Sequence, residues 1–254
     1  SYHRALALCK LGRGGEVQGE FARHPALLHL GRAEELLAVR PLPGGIANEA
    51  LMALGRIGEA AGDGVPDIPG SGRGWRALAI LGRVGEAEAA NGGPLHWLRL
   101  LAALESGDQT AISAARAGVR PPRNLSSGGW FGGMVIGPFS DRMGAAAGAL
   151  DDSLRTMATQ WRQLHGQRAW LFARAALGEI GEAEVAAMPA VSEGRAWAVL
   201  ATALRAERED RPADARAAYA AFLALPIHLR LLDENAVLAP VECFARWRVR
   251  ALGR

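Results

Sequence analysis

The chain has 254 residues, half of them hydrophobic and only 6% aromatic, with a formal charge of +3 and a pI near 9.4. Alanine and leucine dominate and β-branched residues are sparse, which favours helices over sheets in one long domain or two smaller ones. Lys10 is the only lysine, the arginines are scattered among nearly as many carboxylates, and no basic run stands out, so nucleic acid is excluded as the expected partner.

The first elements, residues 2 to 24, read as a helical pair around a turn at Gly12-Arg13-Gly14-Gly15-Glu16-Val17. That turn is a weak copy of a stretch the chain repeats as Gly55-Arg56-Ile57-Gly58-Glu59-Ala60, Gly82-Arg83-Val84-Gly85-Glu86-Ala87 and Gly178-Glu179-Ile180-Gly181-Glu182-Ala183. Each copy follows a leucine that closes an apolar run. The first glycine can take the left-handed conformation that ends a helix, and the glutamate falls in the first turn of the next helix, where the dipole favours negative charge. A second pair is expected to begin after Pro25, with its turn at Leu30-Gly31-Arg32-Ala33-Glu34-Glu35, and Pro41 to Gly45 closes it. Residues 46 to 56 predict the next helix. The glycine and proline density of residues 62 to 74 excludes regular structure, so the second helix of this repeat is short.

Trp75 to Leu81 pairs with Gly85 to Ala90, and 95 to 105 with 108 to 117 through Ser106-Gly107-Asp108. The main break is 118 to 140, which is too rich in glycine for a helix and too apolar for a solvated linker. Such a long loop is often functional; alternatively Trp130, Phe131, Met134, Ile136 and Phe139 fold back to plug a joint between two helical blocks. Beyond it the pattern predicts a long helix from about Arg142 to His165. Pairs 167–177 with 181–188 and 193–208 with 212–224 follow, then a last stretch from Asn235 to Leu252 with Pro240 near its start.

Residues 196 to 226 carry Trp197-Ala198-Val199-Leu200-Ala201, then Ala215-Arg216-Ala217-Ala218-Tyr219 and Pro226. This resembles the tetratricopeptide (TPR) repeat, whose first helix holds Trp-x-x-Leu-Gly and whose second holds Ala-x-x-x-Phe before a proline. Trp75 to Ala79 and Trp97 to Leu100 repeat the first-helix part, and Trp170 and Trp247 occupy comparable places. The turn recurs at unequal intervals, so the resemblance implies an all-α, irregular array of antiparallel helical hairpins, a TPR-like α-solenoid interrupted by the glycine-rich loop. The blocks are 1–117, the loop 118–140, and 141–254. The single lysine and four asparagines argue against the subtype that grips a C-terminal carboxylate. A fainter resemblance, on Trp75 to Ala90 and Leu95 to Gly118, is to soluble helical extensions of bacterial membrane proteins such as rhomboid-type proteases.

Catalytic, cofactor and metal chemistry find little footing. Gly70-Ser71-Gly72-Arg73-Gly74 lacks the Gly-Lys-Ser/Thr ending of a phosphate-binding loop and reads as an inter-helix turn. His3, His24, His29, His96, His165 and His228 show no ligand spacing, and Gly-x-Ser-x-Gly is absent. Asp151-Asp152 and Glu34-Glu35 point about 100 degrees apart on a helix and read as solvated or capping carboxylates. No cofactor and no metal are expected. Cys9 and Cys243 lie in apolar helical runs as small buried hydrophobes, which points to a reducing, cytoplasmic compartment. No run reaches the ~18 apolar residues of a membrane span, and no signal peptide precedes the first helix. The start at Ser1 and the fresh Leu252-Gly253-Arg254 at the end lead us to expect a piece of a longer protein.

The resemblance therefore implies a non-enzymatic scaffold that binds a protein or peptide, with Trp130, Phe131, Trp75, Trp97, Trp170 and Trp197 as candidate contacts. The alternatives are a regulatory or sensory extension of a larger enzyme or membrane protein, and an enzyme with its site at 118 to 140 using groups such as Asp141 or His165.

Overall fold

The computed structural model describes residues 4–5, 7–8, 11, 13, 16–17, 19–38, 44–62, 74–120, 131–142, 148–160, 167–187, 193–230 and 238–253. Among these, fifteen α-helices, one π-helical turn and one 3-10 turn are delimited, Arg4, Ala5, Ala7 and Leu8 are also helical, and no residue is in a strand. The chain divides into two compact units: 1–94 with 226–238, and 95–225 with 239–254. The 118–140 segment thus lies inside the second unit.

The first unit holds three helical hairpins: α1 (Glu20–His29) with α2 (Ala33–Ala38), α3 (Gly44–Ala53) with the short α4 (Ile57–Ala60), and α5 (Trp75–Ile80) with α6 (Val84–Asn91). The repeated motif makes the turns as its chemistry dictates. In the second hairpin, Gly55 N–H donates to the Met52 carbonyl and Arg56 N–H to the Leu51 carbonyl, the paired bonds that satisfy the orphan carbonyls of a helix end. Gly31 and Arg32, and Gly82 and Arg83, repeat both bonds. The geometry needs a left-handed residue, and Gly55 and Gly82 take φ of 75° and 76°. The arginine then precedes the next helix, and its guanidinium reaches forward three residues: Arg32 to Glu35, Arg56 to Glu59, Arg83 to Glu86. Each pair couples the last residue before a helix to that helix's first turn.

Consecutive hairpins touch in sequence order, α2 against α3 and α4 against α5, and Arg76 Nη1 of α5 donates to Glu49 Oε1 of α3 at 2.7 Å. Pro25 does not open a second pair; it lies inside α1. Its ring removes one hydrogen bond, and the burial of the next three residues, Ala26, Leu27 and Leu28, carries the helix through it.

The second unit begins with the hairpin α7 (His96–Ser106) and α8 (Gln109–Gly118), whose turn is capped by Asp108 accepting from the Thr110 and Ala111 amides. The expectation of an irregular loop over 118–140 is corrected over its second half. Phe131 leads into a π-helical turn, Gly132–Ile136, and that runs into α9 (Gly137–Arg142). Every residue from 131 to 140 is buried. Three glycines penalise this helix by about 1 kcal/mol each. Burial of Phe131, Met134, Val135, Ile136 and Phe139 returns about 1.5–3 kcal/mol per side chain, so packing overrides propensity. The glycines also admit close neighbours: a Cβ on Gly132 would stand 3.1 Å from Trp97 Cβ, and one on Gly137 3.2 Å from Val119 Cγ1.

Pro138 accounts for the π turn. It has no N–H to give the Met134 carbonyl four residues back, and its ring would strike that carbonyl in an α-helix. The carbonyl accepts instead from Ser153 Oγ at 2.7 Å, on α10 (Ala149–Gln160). The long helix expected from Arg142 to His165 is described only as α10; Arg142 belongs to α9, and His165 lies outside the described residues.

The remaining helices complete the second unit. They are α11 (Gln167–Leu177), α12 (Glu182–Ala186), α13 (Glu193–Arg208), α14 (Pro212–Ala224) and α15 (Ala239–Ala251). α15 packs against both α14 and α7, and Arg250 Nε of α15 donates to Glu105 Oε1 of α7 at 2.8 Å. Edge-on aromatic contacts tie the layers: Phe131 to Phe244 at 5.6 Å, Phe139 to Phe244 at 5.2 Å and to Trp247 at 5.9 Å, and Phe172 to Trp197 at 5.3 Å. Arg248 lies over the Phe139 and Trp247 rings and forms a buried two-bond pair with Glu207 at 2.7 and 2.8 Å.

Candidate interaction surface

Of the six candidate contact residues, two lie in the core and three are half-buried. Phe131 and Trp197, at 1% and 2% exposure, belong to the core of the second unit, and their rings are spent on Phe172 and Phe244. Neither presents anything to a partner. Trp130 lies outside the described residues. Trp75, Trp97 and Trp170 are half-buried. Arg76 lies 4.9 Å over Trp75 and Arg174 4.9 Å over Trp170, so both indoles already carry a cationic cap. The backbone of the Gly132 turn approaches the Cβ of Trp97. Trp247, also placed in the repeat pattern, is core.

The other candidate groups are likewise committed to structure. Asp141 accepts from Arg116 Nε and Nη2 at 2.8 and 2.7 Å, and Asp151 from Arg208 Nε and Nη2 at 2.7 and 2.8 Å. Burial drives the Cys243 thiol pKa far up, which keeps it protonated and inert. His96 stands against Gly118, where a Cβ would fall 2.4 Å from the ring nitrogen. The glycine-rich stretch through Gly70 to Arg73, together with His3, Cys9 and His165, lies outside the described residues. No group of three or more metal-ligating side chains occurs among the described residues, nor is any helix there long and apolar enough to cross a membrane.

The surface that does hold a peptide segment is the turn edge of the first unit. The 3-10 turn Ile227–Leu229 packs against α1 and α3, nearly two hundred positions after them in the chain. Its own bonds are Leu229 N–H to the Pro226 carbonyl at 2.9 Å and Arg230 N–H to the Ile227 carbonyl at 2.8 Å. The two side chains it brings down meet two of the turn glycines. His228 Cε1 and Nδ1 stand 3.0 Å from where a Cβ of Gly31 would be, and Ile227 Cδ1 stands 4.0 Å from that position on Gly55. Gly31 thereby leaves the space His228 fills, and a side chain on Gly55 would only touch Ile227. At the third turn, Gly82 has open space above it and Leu81 is 44% exposed.

The edge is electrically quiet. Arg56 holds the Glu59 carboxyl below the usual range through their hydrogen bonds, and Arg32 does the same for Glu35. Both carboxylates are fully ionised and matched at neutral pH. These exposed pairs contribute little stability. Burial alone pushes the His228 pKa below its ordinary 6.5.

Sequence reasoning missed Ile227 and His228 because nothing local marks them: they follow a helix and a proline, as linkers do. The faint signal was apolar side chains in Leu225-Pro226-Ile227-His228-Leu229, where a solvated linker would be polar. Comparison of the chain with protein-family models, with curated proteins and with solved structures gave no match.

Proposed function

We propose that the protein is a non-enzymatic binding scaffold whose first unit, a short TPR-like stack of helical hairpins, holds a brief apolar segment of a protein partner along its turn edge. The observation that carries this reading is the seating of the chain's own Pro226–Arg230 on Gly31 and Gly55. A hairpin stack that receives a short 3-10 turn from a distant part of its own sequence offers a place where a similar segment of another chain can sit. The ordered contact between successive hairpins and the Glu49–Arg76 link between first helices support a stacked arrangement. The contact moves from the tryptophans to the turn edge, because the best-placed tryptophans are buried or capped.

The test is a titration with the capped hexapeptide Leu-Pro-Ile-His-Leu-Arg, the sequence of residues 225 to 230. The host is an Ile227→Gly, His228→Gly variant whose own segment no longer fills the space at Gly31, with helicity checked by circular dichroism. Saturable binding in the range of about 10 μM to 1 mM is expected for so short a segment. Binding is lost when Gly31→Ala is added, and it is much weaker in the wild type, where the edge is filled. No saturation with a helical host, or equal binding by the wild type, overturns the reading.

A further inference from the structure

We propose that Pro226–Arg230 is a strap over the turn edge that acid releases through His228, so that the edge is covered at neutral pH and opens as the pH falls. The geometry sets this up. The imidazole occupies the space a side chain on Gly31 would need, and Gly31 has φ of 70°, so glycine is required there both for the turn and for the docking. Two hydrogen bonds curl the strap and Arg230 is buried behind it, so displacing the ring displaces the whole turn.

Among the described residues, desolvation causes the shift of the ring, and no carboxylate contributes to it. The charged and titratable residues on the two helices packed against the strap are Glu20, Arg23, His24 and His29 on α1 and Glu49 on α3, with Arg32 beside Gly31. Glu49 accepts from Arg76 and Arg32 is paired with Glu35. Desolvation pushes the docked ring toward its neutral form. The sign follows from linkage: the released ring titrates at its ordinary 6.5 and the docked ring lower, so the released state binds more protons between those values. Docking is at full strength above 6.5 and weakens as the pH drops toward the docked value. For the significance of the released edge, the inference rests on the scaffold reading above; the release itself does not.

The experiment is hydrogen exchange of the full chain at pH 7.5 and 5.5, corrected for intrinsic rates, read at the Leu229 and Arg230 amides. In the wild type their protection falls by up to about tenfold at the lower pH, the limit for one pH unit below 6.5. In His228→Phe and in His228→Gln, neither of which titrates, it stays within about twofold. Wild-type protection that does not change with pH, or an equal fall in whichever non-titrating variant docks, overturns the strap. The hexapeptide titration fails or succeeds separately: a peptide that never binds sinks the scaffold reading while acid release stands, and flat protection does the reverse.

Discussion

Replacing Ser153 by alanine tests why the central helix of the second unit has a π turn. Ser153 Oγ donates a hydrogen bond to the Met134 carbonyl, which Pro138 cannot serve. Ser153→Ala removes that bond from a buried carbonyl, at a cost of about 1–3 kcal/mol. For a unit of this size the thermal midpoint falls by roughly 2–4 °C per kcal/mol, so a drop of about 2–12 °C is expected in scanning calorimetry. Pro138→Ala restores an N–H four residues after Met134 and removes the ring that opened the turn. On that background Ser153→Ala is expected to cost under about 0.5 kcal/mol, giving a coupling of about 1–2 kcal/mol between two positions fifteen residues apart in sequence. Effects that add to within about 0.5 kcal/mol would refute the account, because the hydroxyl and the missing amide would then not be serving the same oxygen.

Three further outcomes follow from the packing. Arg248→Ala removes both of its hydrogen bonds to the buried Glu207 carboxylate and should cost about 3–5 kcal/mol, whereas Glu207→Leu with Arg248→Met should cost less in urea unfolding. Asp210 occupies the left-handed turn position that glycine holds in the other copies, with φ of 54°; Asp210→Gly should stabilise by about 0.5–1 kcal/mol, read as a higher calorimetric midpoint. Cys243, buried and held as a thiol, should react with iodoacetamide only as fast as the second unit unfolds, and labelling of the native protein on the minute scale would contradict its placement.

The turn motif was legible because its chemistry is local. Leucine, glycine, arginine and a glutamate three residues on specify a helix end, a left-handed residue and a charged helix start, and Gly55 and Gly82 deliver them with the same bonds. The helices 193–208 and 212–224 came out at the expected bounds for the same reason, with Pro212 in a first turn where its missing amide costs nothing. The 131–140 helix was not legible, because its glycines argue against a helix in every local scale. Only the enclosure supplied by α7, α10, α11 and α15 reverses the balance.

What the sequence determined by itself, then, is the class of structure: an all-helical chain, with glycines that end helices and a carboxylate in the first turn of the helix that follows. These are interactions within six residues, and they hold wherever the hairpin is placed. Tertiary structure alone decided which tryptophans are core, that an apolar glycine-rich stretch becomes a buried helix, and that residues 226 to 230 return to the turn edge of hairpins far upstream. Those outcomes depend on which surfaces meet after the chain has folded, and burial of apolar area is indifferent to sequence separation.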